Sequence, residues 1–380
     1  MQIAEASPRA MPTPAQNNLN GSARLRVRLV AGKQLSGELA ERWRELQCSN
    51  PALLSPYFCP EFTQVVASVR DDVEVAVIED HGVPQAFFPF QRGALGAAQP
   101  VAGRLSDFHN WVATPDFQMD PRQLLNLCGL RSWRFDHLVA AHDCFQPFIL
   151  QRAPSPYLDL SGGFAQYEAE RRAATSEMAT TKRKVGKLAR EIGPLRLEWN
   201  CSDPETLRKL QQWKGEQYVR TGHVDLFSFE WIRQLFDRLL QRETPELAGK
   251  LTCLYAGDKL VAAHLGMSSR HVMHWWFPAY DRELGRYSPG LALLYTMAQQ
   301  AADQGITRID LGKGDEDYKF KMATHIDQVA DGCVDVVGSR MLLRRSWRVA
   351  REWVRNSPLR STARIPYRML KRVRDWFKFQ

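Results

Sequence analysis

A chain of 380 residues is long enough for two domains with sizeable cores, and 44% apolar with 24% charged residues is the composition of a soluble globular protein. The apolar runs fall well short of a membrane span, no apolar stretch follows the first methionine as a secretory signal requires, and the seven scattered cysteines form neither CxxC pairs nor His/Cys ligand spacings, so a cytoplasmic protein with reduced cysteines and no metal is expected. The net charge of +9 is uneven: residues 340–380 carry 13 Lys+Arg against 2 acidic residues, a local +11, and the remainder sums to −2, which argues against a DNA- or tRNA-binding body.

Residues 1–22, rich in Pro, Ala, Asn and Ser, read as a disordered leader. Leu25 to Val30 alternates as an edge strand, Ser36 to Cys48 is a helix with Leu39, Trp43 and Leu46 on one face, and Pro60 to Val69 is a second helix. Val73 to Ile78 and Pro84 to Gln91 form a hairpin across Glu79-Asp80-His81-Gly82. The segment from Leu105 to Leu125 offers Asp107, His109, Asn110 and Trp111 either as part of an acceptor cleft or as a surface loop around a packed aromatic.

A faint duplication runs through the chain. VEVAVIEDHGVPQAFFPFQR has the shape of LTCLYAGDKLVAAHLGMSSR at 251–270, and GLRSWRFDHLV at 129–139 echoes QGITRIDLG at 304–312. Two copies of one α/β unit are expected, over 23–157 and 158–338, followed by a basic tail over 339–380. Pro154 to Leu160 marks the crossing between them.

In the second copy, Phe164 to Ile192 reads as one long helical stretch with a basic run, either a solvated face or an attractor of anions. The helix from Pro204 to Thr221 places Lys214 and Tyr218 on one face. His264, in VAAHLG, sits on a central strand among small residues and is either a general base or a hydrogen-bonded core histidine. His274 alternates with aromatics and reads as structural. Val272 to Phe277 is the next strand, and its Trp275-Trp276 pair puts one ring on each sheet face, one in the core and the other free to stack on a ligand. Asp281 follows as a turn residue or an acceptor contact.

A helix then opens at Gly290 after the loop Ala279 to Pro289, and Gly305 stops it. Its N-terminus points unpaired amides and a partial positive charge out of the sheet, which suits phosphate, with Arg286 just before it and Pro289-Gly290 at its first turn. The loop is neither GxxxxGK[ST] nor GxGxxG. A short strand, Ile306 to Leu311, ends in Asp310, where it would orient His264 or bind the acceptor, and a helix begins near Asp315.

Trp275-Trp276-Phe277-Pro278-Ala279-Tyr280-Asp281, Tyr287-Ser288-Pro289-Gly290, Asp310-Leu311-Gly312 and Tyr318-Lys319 together resemble the GNAT (Gcn5-related N-acetyltransferase) superfamily. The resemblance is greatest to the CelD-type acetyltransferases of bacterial polysaccharide biosynthesis, relatives of the Fem peptidyltransferases. It covers about 160–330 well and 30–155 more weakly. The phosphate motif [RQ]xxGx[GA] is matched loosely, by Arg286, Gly290 and Ala292 with one extra residue between. The resemblance implies tandem GNAT-like domains, each a mixed, mostly antiparallel sheet flanked by helices. It implies acetyl-CoA or another acyl-CoA as co-substrate, held by Arg286, Tyr287, Ser288, Pro289 and Gly290, with Tyr318 protonating the leaving thiolate. Lys214, Gln217, Trp276, Asp281 and Lys319 become substrate contacts, and His264 and Asp310 join Tyr318 as the catalytic candidates.

The expected activity is acyl-CoA-dependent N- or O-acylation of a sugar or polysaccharide precursor. The alternatives are Fem-like transfer from aminoacyl-tRNA and an inactive membrane-surface scaffold. The tail supports either a membrane or a packing role: Met341 to Arg355 and Pro366 to Phe379 put Trp, Tyr, Phe and Leu on one helical stripe and Lys/Arg on the other, suited to an anionic membrane surface or to the protein body.

Overall fold

The computed structural model describes residues 25–337. The leader and the basic tail, with the membrane contact expected of it, lie outside the described residues. The first copy runs β1 (Arg26–Ala31), α1 (Glu38–Cys48), α2 (Pro60–Ala67), the hairpin β2 (Val73–Asp80) and β3 (Val83–Arg92), β4 (Ala97–Gln99), β5 (Val112–Ala113), α3 (Pro121–Leu127), β6 (Ser132–Val139) and β7 (Ile149–Asp159). The second runs α4 (Gly163–Ala174), α5 (Glu177–Glu191), β8 (Leu195–Glu198), α6 (Pro204–Thr221), α7 (Glu230–Leu240), the hairpin β9 (Ala248–Ala256) and β10 (Lys259–Ser268), β11 (Val272–Tyr280), α8 (Pro289–Asp303), β12 (Arg308–Asp310), α9 (Asp317–Met322) and β13 (His325–Asp335).

Local chemistry sets the boundaries. His81 and Gly82 both take positive φ, 49° and 84°, which makes the two-residue hairpin turn follow the twist of β2 and β3. Asp203 caps α6 through the amides of Glu205 and Thr206, Pro204 occupies its first position, and Gly222 at φ 74° ends it. The basic stretch expected as one helix is two: Thr175 is extended (φ −148°, ψ 153°) and separates α4 from α5, which fold back on each other with Lys182 bound to Glu168 at 2.8 Å. The last helix starts at Asp317 rather than near Asp315, and β12 keeps only three residues in strand pairing.

Among the described residues all thirteen strands join one sheet. The path β1-β2-β3-β4-β6 repeats as β8-β9-β10-β11-β12, with three antiparallel pairings and then a parallel one in each copy. The final strands are exchanged. β7 lies between β12 and β13, and β13 lies between β6 and β7, so each copy's last strand is flanked by strands of the other. The antiparallel β7–β13 pair marks an approximate two-fold axis normal to the sheet. That symmetry places α1 and α2 on the same face as α6 and α7, in one continuous core around Trp43, Phe62, Ile232 and Phe236. The opposite face carries α4, α5 and α8 over the second copy and α3 over the first.

Candidate active site

β11 and β12 run side by side over only three residue pairs, from Val272↔Arg308 to His274↔Asp310. β11 continues to Tyr280, but the chain after β12 turns off at Gly312, whose φ of 73° suits glycine. The two strands therefore diverge, and the edge from Trp275 onward faces a gap instead of a neighbour.

One side of this gap leads to the start of α8. Ser288 precedes the helix at φ 51° and makes no capping bond; its Oγ instead accepts from Lys184 Nζ at 2.7 Å. Pro289 brings no N–H and Gly290 no side chain, and the nearest atom to a Cβ placed on Gly290 is Tyr280 Cδ1, at 3.3 Å. Arg286 is largely exposed and lies over the Tyr287 ring, 4.7 Å from its centre. An uncapped helix start between a lysine and an arginine fits a pyrophosphate. Tyr287 itself does not face this site. It is fully buried and donates from its hydroxyl to Glu191 at 2.7 Å, so its side chain is committed within the protein rather than free for the expected donor contact.

The other side of the gap faces α6 and the first copy. Lys214 is buried and donates to the Pro278 carbonyl at 3.1 Å, with the Tyr218 ring 5.6 Å away; burial, then the charge of Lys319, lowers its pKa to about 8. Gln217 is half-buried one turn along the same helix. Trp276 packs against Tyr57 and donates its indole N–H to the Leu105 carbonyl at 2.9 Å, whereas Trp275 is buried on the opposite face. Lys319 reaches the carbonyls of Gly312 (3.4 Å) and Lys313 (3.2 Å) and the Glu316 carboxylate (3.1 Å). Its neighbour Tyr318 turns towards Trp275, and burial pushes the phenol up to about 12, so it holds its proton at neutral pH.

The first copy closes this side. Asp107 comes within 3.3 Å of the Cβ position of Gly312 and within 3.9 Å of His137 Nε2, and burial raises its pKa against the pull of His137 and Lys319. The same segment bridges to β6 at His109↔Leu138 and pairs with β3 at Val112 and Ala113, so it fills the space beside β6 that corresponds to the gap between β11 and β12. Asn110 and His109 are buried; His109 donates or accepts at both ring nitrogens, to the Ser106 carbonyl (2.9 Å) and from the His137 amide (3.3 Å). His109, Asp136 and His137 gather their ligand atoms within 4.8 Å, yet those two bonds leave His109 no nitrogen for an ion.

Two of the expected catalytic residues and one expected substrate contact stand elsewhere. His264 is 0% exposed, stacked on Trp275 at 4.8 Å, with Nε2 accepting the Trp276 amide at 3.1 Å and 3.0 Å from the His274 carbonyl. Burial drops its pKa to about 3. It is the core histidine of the two readings, filling the space that Gly266 leaves. Asp310 does not orient it. That carboxylate is fully buried, takes two bonds from Arg308 (2.9 and 2.7 Å) and lies 3.6 Å from His274, which is itself bound to Ser55 of the first copy at 2.8 Å. Asp281 is the turn residue: it caps the Glu283 amide at 2.9 Å and pairs with Lys259 at 2.9 Å, away from the gap.

Sequence reasoning missed Tyr57 and the Leu105 carbonyl, which reach the site only because the strands are exchanged and so leave no local signal. Lys184 was legible in principle: of the basic run it borders the apolar stripe Met178, Thr181, Val185 and Leu188, which packs against the body.

Residues 176–320 match the family model of the acetyltransferase (GNAT) domain. No curated protein gives a significant match. Among solved structures, FemX is 12% identical with a TM-score of 0.54, covering 81% of this chain and 98% of that one. The C-terminal domain (DUF2156) of a protein described as a lysylphosphatidylglycerol synthetase from Agrobacterium fabrum is 14% identical with a TM-score of 0.50, covering 83% and 96%. A tandem GNAT protein from the clavulanic acid biosynthesis pathway is 10% identical with a TM-score of 0.46, covering 82% and 99%. The match over residues 176–320 supports an acyltransferase with a GNAT-like fold in the second copy, and the likeness to FemX and the synthetase domain extends the fold over both copies.

Proposed function

We propose that this acyltransferase takes its acyl group from acyl-CoA, acetyl-CoA foremost, and passes it to an amine or hydroxyl of a saccharide bound between the two copies. The observation that carries this reading is the parting of β11 and β12 above the uncapped start of α8. The saccharide acceptor rests on the resemblance of Trp275–Asp281 and Tyr287–Gly290 to the CelD-type enzymes, and on the half-buried Trp276 ring beside the gap.

In this arrangement the donor's phosphates lie against Ser288, Gly290, Lys184 and Arg286, and the thioester enters between the strands. The acceptor lies on the α6 side, among Trp276, Lys214, Gln217 and Lys319. Its attacking N–H or O–H faces Asp107, whose raised pKa suits it to take that proton. The C–S bond breaks as the new C–N or C–O bond forms, and Tyr318 gives its proton to the departing sulfur. Most of the rate then comes from holding two substrates in one geometry.

Calorimetric titration with acetyl-CoA tests the donor assignment. The wild-type chain should bind, and Gly290→Glu should not, because a carboxylate would stand where phosphate belongs, and the one side chain its Cβ meets, Tyr280 at 3.3 Å, is exposed enough to give way. Equal affinity in the two proteins would sink the assignment. Absence of binding in both would favour aminoacyl-tRNA as donor, to be tested with charged tRNA.

A further inference from the structure

We infer that the acceptor carries an anionic oxygen group, a carboxylate or a phosphate, seated between the ammonium groups of Lys214 and Lys319. This rests on the acyltransferase reading above, with the acceptor on the α6 side of the gap, and adds the chemical class of that acceptor.

Lys214 is 9% exposed and Lys319 7%. Each ammonium has three N–H donors to satisfy. Lys214 uses one on the neutral carbonyl of Pro278, and among the described residues no carboxylate stands within ion-pair distance of it. Lys319 divides its donors among the carbonyls of Gly312 and Lys313 and the Glu316 carboxylate at 3.1 Å, which is more than half exposed and screened by water. A cation taken out of water without a counter-ion is costly, and a second cation close by raises the cost. The mutual effect is visible in Lys214, whose pKa burial and Lys319 both lower, with Glu316 alone opposing them. A fold that keeps Lys214 in this state, with Lys319 near enough to act on its charge, leaves room for one negative group to be brought by a ligand.

The position says which ligand. Pro278 and Gly312, the anchors of the two side chains, belong to the two segments that diverge at the gap, so the pair stands at its mouth. The donor's phosphates have their own cations, Lys184 and Arg286, on the opposite face of the sheet with α5 and α8. α6 packs in the other core, with α1, α2 and α7. The anion between Lys214 and Lys319 therefore belongs to the acceptor. Asp107, with its partner His137, stands beside Gly312 and close enough to Lys319 to feel its charge, which orients such an acceptor with its anion towards α6 and its nucleophile towards the first copy.

Thermal unfolding of the full chain tests this at constant ionic strength, with chloride replaced by inorganic phosphate in one series and by acetate in another. The wild-type protein should gain stability in a saturable way from at least one of the two, and which one separates a phosphorylated acceptor from a carboxylated one. Lys214→Met should weaken the apparent affinity by about tenfold or more, and Lys319→Gln should do the same from the other ammonium, whereas Lys184→Met should remove only a separate part of the phosphate response that does not depend on Lys214 and should leave the acetate response unchanged. A wild-type protein indifferent to both anions overturns the inference. So does an anion effect that survives Lys214→Met and vanishes in Lys184→Met. Acetyl-CoA titrated into Lys214→Met should bind as to wild type. If the wild-type protein fails to bind acetyl-CoA but keeps a Lys214-dependent anion effect, the donor assignment falls and the anion site stands.

Discussion

Asp136 and Asp310 are counterparts in the two copies, each two residues after an arginine on the fifth strand of its copy's path across the sheet, yet they are held differently. Asp310 on β12 takes two bonds from Arg308, whose third goes to Asp327, while Asp136 on β6 lies 3.0 Å from His137 Nδ1. Burial dominates Asp310 and raises its pKa to about 6; at Asp136, burial is outweighed by the His137 bond and by the charges of His137, His109 and Arg104, and the pKa falls. The duplicated strand thus serves as a core brace in one copy and as a polar support behind Asp107 in the other.

Arg308→Met should expose how strongly Asp310 depends on its partner. Without the guanidinium a fully buried carboxylate is left unpaired, at a cost of about 3–5 kcal/mol. The folded-state pKa of Asp310 already lies above its unfolded value, so its protonated form favours folding at low pH and that stability is lost as pH rises through about 6. The variant's deficit in urea unfolding should therefore be larger at pH 8 than at pH 5. An equal deficit at both would mean that Arg308 acts through packing alone.

The buried histidines act in the opposite sense. His264 and His109 are pulled by burial to pKa values of about 3, so the unfolded chain gains their protons first. Stability from these neutral rings is present above the unfolded value near 6.5 and is lost as pH falls below it, by about 2 kcal/mol for each ring at pH 5. Stability measured in denaturant should fall from pH 7 to pH 5 more steeply in wild type than in His264→Gln. Parallel curves would show that His264 titrates alike in the folded and unfolded chain.

His264→Ala separates structure from chemistry. The ring covers Gly266, where an added Cβ would stand 2.3 Å from His264 Cε1, and it accepts the Trp276 amide. Its removal should cost about 2–4 kcal/mol of stability through a cavity and an unsatisfied amide, with little change in turnover for the molecules that remain folded. A normal melting temperature with turnover reduced a hundredfold would restore His264 as a base, in line with general-base effects of roughly 100-fold and above.

Much of this arrangement was legible in the residues. The hairpins at 73–92 and 248–268 and the Arg-x-Asp strands revealed the duplication because local period and turn chemistry are written in short stretches. The Pro289-Gly290 helix start was legible for the same reason. His264, Asp310 and Asp281 were ambiguous because a titratable residue on a strand or in a turn looks the same whether a ligand or the protein satisfies it. The exchange of β7 and β13 carries no local signature at all, and it is what brings Tyr57, Leu105 and Asp107 to the second copy's gap.

That cross-copy contribution gives the most discriminating pair of variants. Tyr318→Phe keeps the ring against Trp275 and removes the proton intended for the leaving sulfur, so turnover should fall about a hundredfold with acetyl-CoA affinity unchanged. Asp107→Asn keeps the shape beside Gly312 and removes the proton acceptor for the attacking group, so turnover should fall on a similar scale, again with donor affinity unchanged. The two differ in their response to the leaving group and the nucleophile. A donor whose thiol leaves more readily should recover activity in Tyr318→Phe and not in Asp107→Asn, while raising the pH should recover Asp107→Asn for an amine acceptor, because more of the amine is then already neutral. Both measurements use single-turnover rates with saturating donor. If Asp107→Asn turns over at the wild-type rate, the first copy supplies walls to the site and no chemistry; if it alone fails to recover with the better leaving group, the proton of the acceptor passes through a residue of the copy that has filled its own gap.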